Sequence, residues 1–123
     1  MAMISDGSSN TYLAGEKYMA SDYYLTGQDY GDDWNMYVGQ QDDTSRSVGY
    51  PSSSTPTGFV YYPPKQDMPN VVDGACFGSA HSGGFNMVFC DGSVHSISYS
   101  IDEETHRRLG NRKDGLVIDG SKL

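Results

Sequence analysis

The 123-residue sequence has few basic residues and no long apolar run. Eight Lys and Arg stand against sixteen Asp and Glu, and the net charge of −8 repels phosphate backbones, so no nucleic acid is expected as a partner. No stretch approaches the ~18–20 apolar residues of a membrane-crossing helix, and none has the pattern of a secretory signal. The length fits one globular domain, residues 1–123.

Cysteine is also scarce, with Cys76 and Cys90 as the two examples. They enclose a loop that would be stabilised by ~3 kcal/mol if a disulfide closed it in an oxidising compartment. In a reducing compartment both would remain buried thiols. Of these two alternatives, we expect the Cys76–Cys90 disulfide.

The clearest local signal is Asp91-Gly92, which lies between the β-prone runs FNMVFC and SVHSISY. Asp-Gly in this context predicts a hairpin with a two-residue type I′ turn, in which both central residues have positive φ and Cys90 pairs with Ser93. Both faces would then be partly apolar, with Phe85, Met87, Phe89 and Val94 on one and Val88, Cys90, Ile97 and Tyr99 on the other. We therefore expect a sheet that is covered on both sides.

Weaker signals complete an α+β fold. Residues 11–18 and 59–62 predict two further strands, and the apolar run 116–118 predicts an edge strand. We expect a small antiparallel sheet centred on the hairpin at 85–99, with long loops around it.

The C-terminal part of the chain predicts one short helix over residues 101–109. Ser100 or Asp102 is a suitable N-cap, and Gly110 is expected to stop the helix in the left-handed conformation.

A histidine lies at a characteristic distance before the turn. Nine residues (82–90) separate His81 from Asp91-Gly92, and Gly83 and Gly84 form a hinge after His81. This spacing resembles the H-X9-DG motif of bacterial prepilin-type, pseudopilin-like proteins. The early segment DGSSNT, the following LAGE and the tail IDEETHRRLGNRKDG resemble further parts of that family, whose relatives are also described as solute-binding-like.

The resemblance implies a non-catalytic structural or assembly subunit. It would be the globular head of a type IV pilin or type II secretion pseudopilin-like protein, located outside the cell or in the cell envelope. Its expected partners are other pilin-like subunits or envelope components. The resemblance implies contact with a membrane only through an N-terminal hydrophobic helix, which this sequence does not contain.

Residues 20–70 carry no motif of that family and form a variable insert that is acidic and aromatic. Clustered carboxylates suit calcium, with Asp29, Asp32 and Asp33 as candidate ligands. Aromatic rings can form a flat platform for a glycan, with Tyr30, Trp34 and Tyr37 as its candidates. The alternative function is thus an extracellular module that binds carbohydrate or calcium. A solvated acidic loop and a small aromatic core are the simpler interpretations of the same residues.

His81, Ser82 and Asp91 invite a catalytic interpretation, but no nucleophile-elbow motif accompanies them. Asp91 is explained by the turn. We expect His81 to brace the glycine-rich loop through a largely buried hydrogen bond. Glu16 is interpreted as a solvated edge charge, and the alternative is a buried Glu16 paired with His81 or Arg108. We therefore do not expect this protein to be an enzyme.

Overall fold

A computed structural model describes residues 3–123. It combines short strands, one short α-helix and long loops, so the predicted α+β class is confirmed. The strands are β1 Tyr12–Gly15, β2 Gly49–Pro51, β3 Phe59–Tyr61, β4 Lys65–Gln66, β5 Gly78–Ser79, β6 Gly84–Phe89 and β7 Val94–Ser98, and the helix is α1 Glu103–Leu109.

The main sheet is antiparallel and has the strand order β1-β6-β7. Phe85 lies opposite Ile97, so these two side chains share a face, contrary to the prediction that separated them. That face is buried, whereas Asn86 and Val94 on the other face are exposed. The expectation of a sheet covered on both sides is therefore wrong. The prediction assumed a two-residue turn, which placed β7 one position out of its observed register. A shift of one residue assigns every side chain of a strand to the opposite face of the sheet.

One hydrophobic core lies on the covered face of the sheet. Tyr12, Phe77, Tyr99 and Ile118 pack around its edge as partly buried side chains. The fully enclosed members come from β6, β7 and α1 with the segment before it: Phe85, Met87, Phe89, Ile97, Ile101 and Leu109.

The β6–β7 hairpin turns through three residues instead of two. The Phe89 N–H donates to the Ser93 carbonyl at 2.9 Å, and the Gly92 N–H donates to the Phe89 carbonyl at 2.9 Å. Gly92 has φ +86°, but Asp91 is not among the residues with positive φ. This is a three-residue hairpin loop with glycine in the left-handed position. It corrects the type I′ turn and the Cys90–Ser93 pairing.

Two smaller sheets lie outside the main one. β2 pairs with β3 in an antiparallel hairpin, and β4 pairs with β5 in parallel. The strands predicted at 11–18 and 59–62 therefore exist as β1 and β3, although β3 does not join the main sheet. β2 was not predicted, because the sequence around Tyr50 has no strand periodicity.

Helix α1 begins at the predicted cap. The Asp102 carboxylate accepts from the Thr105 N–H at 2.9 Å. Gly110 follows the helix with φ −80°, so the predicted left-handed stop is wrong. Glycine is needed there for space, because an added Cβ would lie 2.5 Å from Val48 Cγ2. Residues 116–118 form no strand.

Among the described residues, no helix has the length and apolar character that crossing a bilayer requires.

Candidate functional site

The loop between β5 and β6 carries the histidine of the family-like motif. The Ser79 hydroxyl accepts from the His81 N–H at 3.1 Å and donates to the Gly84 carbonyl at 3.0 Å. Tyr99 Oη lies 2.9 Å from the His81 carbonyl and 3.1 Å from the Ser79 carbonyl. The loop is thus held to the hairpin by a serine and a tyrosine.

The His81 side chain does not make the buried hydrogen bond that was predicted. It is 62% exposed, and its Nε2 lies 3.3 Å from Glu16 Oε1. Glu16 also accepts from the Asn86 N–H at 2.7 Å. The pairing of Glu16 with His81 is therefore present, but in a solvent-accessible position at the edge of the sheet.

The glycines of the motif have different roles. Gly84 is buried, and a Cβ there would lie 2.2 Å from the Ile97 carbonyl oxygen, so the approach of β6 to β7 requires glycine. Gly83 is exposed, and an added Cβ would meet no atom within 4 Å. Only the second glycine of the predicted hinge is therefore constrained by packing.

Asp91 organises the hairpin turn. Its carboxylate accepts from the Ser93 N–H at 2.9 Å and the Ser93 hydroxyl at 2.6 Å, and these bonds lower the pKa of Asp91. Ser93 Oγ in turn lies 2.9 Å from His95 Nε2. In a catalytic triad the histidine lies between the serine and the carboxylate, whereas here the serine occupies that middle position.

His81 and Asp91 lie at opposite ends of β6, which runs from Gly84 to Phe89. Six residues of extended chain span ~20 Å. The family-like motif therefore marks two ends of one strand. It does not bring its histidine and aspartate to one reacting centre.

The two cysteines are free thiols, so the predicted disulfide is not formed. The Cys76 carbonyl accepts from the Tyr18 N–H beyond the end of β1, whereas the Cys90 N–H donates to the Thr11 carbonyl before its start. Thr11 and Tyr18 are seven positions apart, which is ~20 Å in extended chain and far more than the ~4.4–6.8 Å between the Cα atoms of a disulfide. Burial raises the pKa of the Cys76 thiol to about 12.

The three aspartates predicted to bind calcium have different environments within the insert. Asp29 is buried, and its carboxylate accepts from the Ala20 and Gly31 N–H groups at 2.8 and 2.9 Å. Asp32 pairs with Lys17, and Asp33 is exposed. In residues 3–123, no group of three or more His, Cys, Asp or Glu side chains is arranged to hold a metal ion. The structure does not bring the three aspartates together.

The aromatic residues of the insert do not form a core of their own. Trp34 is 66% exposed and Tyr37 is 88% exposed. Tyr30 is about half exposed, and its hydroxyl accepts from the Gly74 N–H at 2.8 Å. The interpretation of these rings as a small core is therefore wrong, and they remain available for contacts with another molecule.

The buried residue His106 has a larger part in the structure than its sequence context indicated. His106 is 1% exposed, and its Nδ1 lies 3.1 Å from Tyr12 Oη. Burial lowers the pKa of His106 to about 4. Its position three residues before Leu109 places it on the buried face of α1, a spacing that would have revealed its burial.

Asp6 links the two ends of the chain. Its carboxylate accepts from the Asp114 N–H at 2.8 Å and the Gly115 N–H at 2.9 Å. The Asp6 N–H also donates to the Arg112 carbonyl at 3.4 Å. The early DGSSNT segment is therefore hydrogen-bonded to the segment after α1. Local sequence patterns could not predict this contact, because the two segments are far apart in sequence.

Comparison with known proteins identifies one family, whose function is not established. The family described as "Protein of unknown function (DUF1559)", with the short name SBP_bac_10, matches residues 1–104. No curated protein and no solved structure matches the chain. The matched span includes Asp6, the His81 loop and the Asp91-Gly92 turn, but it ends before the segment that Asp6 contacts. The chain belongs to the DUF1559 family.

Proposed function

We propose that this chain is a non-catalytic assembly subunit, the globular head of a pseudopilin-like protein of the cell envelope. The H-X9-DG spacing supports this role, because its residues build the ends of β6 instead of a reacting centre. His81 pairs with Glu16 at one end, and Asp91 and Gly92 form the turn at the other. A structural family motif of this kind maintains a fold that other parts of the molecule use for contacts.

One observation carries the proposal, namely the exposed apolar side chains of the loop at residues 25–37. Leu25 is 99% exposed, Tyr37 88%, Met36 75% and Trp34 66%. Large exposed apolar groups in one segment are characteristic of interaction surfaces. Trp, Tyr and Met are also enriched in protein–protein interfaces. We assign this loop to contacts with neighbouring pilin-like subunits.

Photo-crosslinking in the producing cells tests the proposal. A benzoylphenylalanine at position 37 replaces an exposed tyrosine of the loop, and the matched control places it at Val94, which is 65% exposed on the open face of the sheet. We expect position 37 to cross-link to other copies or to pilin-like envelope subunits, identified by mass spectrometry, at least tenfold more than position 94. Equal yields at the two positions would contradict the assignment.

The alternative is a module that binds carbohydrate or calcium through the same insert, and the exposed rings of Tyr30, Trp34 and Tyr37 favour carbohydrate. A glycan array, measured with and without calcium, distinguishes this binding module from the assembly subunit. Saturable glycan binding that Trp34→Ala abolishes, without cross-linking at position 37, would replace the assembly role.

A further inference from the structure

A large cavity lies between β1, the β2–β3 hairpin and the segment after α1. Its volume is about 710 Å³. Ligand-binding clefts commonly have volumes of ~300–1,000 Å³. None of the residues 25–37 lines the cavity. The assembly role proposed above does not use it.

Apolar and aromatic side chains dominate the wall of this cavity, among them Tyr12, Val48, Phe59, Phe77 and Met87. Leu13 and Tyr50 also line it and are 66% and 48% exposed, so they present apolar surface to solvent beside it. Exposed apolar groups that border an apolar cleft are stabilised when a ligand covers them.

The charge of the wall is opposite to the charge of the whole chain. Four of the eight basic residues line the cavity, and no Asp or Glu does, although the chain has sixteen. Arg107 is neutralised, because its guanidinium pairs with Glu104 and Asp114. Three positive charges remain for another partner: Arg46, Arg112 and Lys113.

These three cations have no carboxylate within 4.0 Å among residues 3–123. The Arg46 guanidinium donates to backbone carbonyls, including Gly31 at 3.2 Å, and its Nε is buried without a hydrogen-bond partner. Arg112 and Lys113 are exposed where the chain leaves α1. Three cations without a carboxylate partner in the described part of the chain therefore lie next to the apolar wall of the cavity.

We propose that this cavity binds a small amphiphilic organic anion, a soluble carboxylate with an aliphatic or aromatic body. The carboxylate lies near Arg112 and Lys113, where it gains charge-assisted hydrogen bonds. The body packs against Tyr12, Phe77 and Val48. The proposal is independent of subunit assembly, because it concerns a different surface and a different class of partner.

A series of probes with one chain and different head groups tests the proposal. Decanoate is the anion, decanol is the neutral control and decyltrimethylammonium is the cationic control, all used below their micellar concentrations. Amide chemical shifts in isotope-labelled protein report the location of binding. We expect decanoate to shift the amides of residues 46–50 and 110–113 saturably, and the cationic probe to leave them unchanged.

Substitutions at the cavity entrance separate charge from apolar contact. The double variant Arg112→Gln/Lys113→Gln removes two exposed cations, and we expect the dissociation constant of decanoate to rise roughly tenfold. Leu13→Asp adds a carboxylate beside the apolar wall and should weaken decanoate at least as much. Lys122→Gln is the matched control, because Lys122 does not line this cavity, and it should leave decanoate binding unchanged.

Thermal melting establishes that each variant is folded. We expect folded variants, because the substituted positions are exposed. Equal binding of decanoate and decyltrimethylammonium would overturn the proposal, as would unchanged affinity in the double variant. Binding to phosphatidylglycerol vesicles without binding of monomeric decanoate would also overturn it, because the surface would then recognise a membrane instead of a soluble carboxylate.

Discussion

Tyr99 and His81 have different roles in the loop before β6. The Tyr99 hydroxyl reaches two loop carbonyls from a partly buried position, whereas the His81 side chain extends to Glu16 at the surface. At the scale of single residues, the Tyr99 hydroxyl therefore contributes more to the order of the loop than the His81 side chain does. An exposed histidine–carboxylate pair contributes little in comparison.

Replacing these two residues distinguishes their roles. Tyr99→Phe removes the hydroxyl that contacts the Ser79 and His81 carbonyls, and we expect it to lower the free energy of unfolding by ~1–1.5 kcal/mol. His81→Ala removes an exposed pair and should cost less than ~1 kcal/mol. Urea unfolding measures both values. A larger loss in His81→Ala than in Tyr99→Phe would contradict this division and restore the buried role predicted for the histidine.

The β6–β7 hairpin is the element on which the rest of the sheet depends, and its turn has one conformational requirement. Gly92 has φ +86°, whereas Gly83 at the other end of β6 has no positive φ. A Cβ added at either glycine would meet nothing within 4 Å. The two positions therefore differ in backbone conformation and not in available space.

Alanine substitution at each glycine isolates that conformational cost. Gly92→Ala places a Cβ in the left-handed region and should lower stability by ~1–2 kcal/mol. Gly83→Ala should be neutral or slightly stabilising, because it restricts the unfolded chain without strain. Thermal melting of both variants measures the difference. Equal melting temperatures would show that the turn is not formed as described.

The hairpin also shows how much of an element its sequence predicts. The Asp-Gly pair identified the turn and the flanking runs identified both strands, because these preferences act over a few residues. The register was wrong, because two-residue and three-residue loops both accept glycine and differ in long-range packing. The buried partners of Phe85 include Ile97 and α1, and these contacts select the observed register.

The stability of the whole molecule includes a buried neutral histidine. His106 packs against the rings of Tyr12, Phe77 and Phe85. Its pKa falls from 6.5 to about 4 on burial, so the unfolded chain binds a proton more readily between these values. Stability from this residue is complete above pH 6.5 and is lost as the pH falls towards 4.

Urea unfolding at several pH values tests this linkage. Between pH 6.5 and 4.5 we expect the wild-type protein to lose ~2–3 kcal/mol through His106. His106→Gln should be less stable at neutral pH, because a buried ring is lost, but its stability should change less across this window. Hydrogen bonds from Arg107 lower the pKa of Glu104 to about 2, so its contribution is lost below this window.

His95→Gln is the matched control, since His95 is exposed on β7. It should retain the pH dependence of the wild-type protein. A His106→Gln variant with the same dependence as wild type would show that another group is responsible for the loss.

The sequence alone determined the local features of this protein. The hairpin, the Asp102 cap and the α+β class follow from turn chemistry, capping and periodicity, which act within a few residues. The family-like motif was also visible as a spacing between His81 and Asp91. Each of these features depends on nearby residues, so no knowledge of the folded chain was needed.

Only the tertiary structure decided which distant groups meet. It separated Cys76 from Cys90 along β1, dispersed the carboxylates of the insert and left its aromatic rings in solvent. It also gathered half of the scarce basic residues around one apolar cavity. These outcomes depend on strand order and on long-range packing, because residues far apart in sequence become neighbours only when the sheet and α1 enclose a common core.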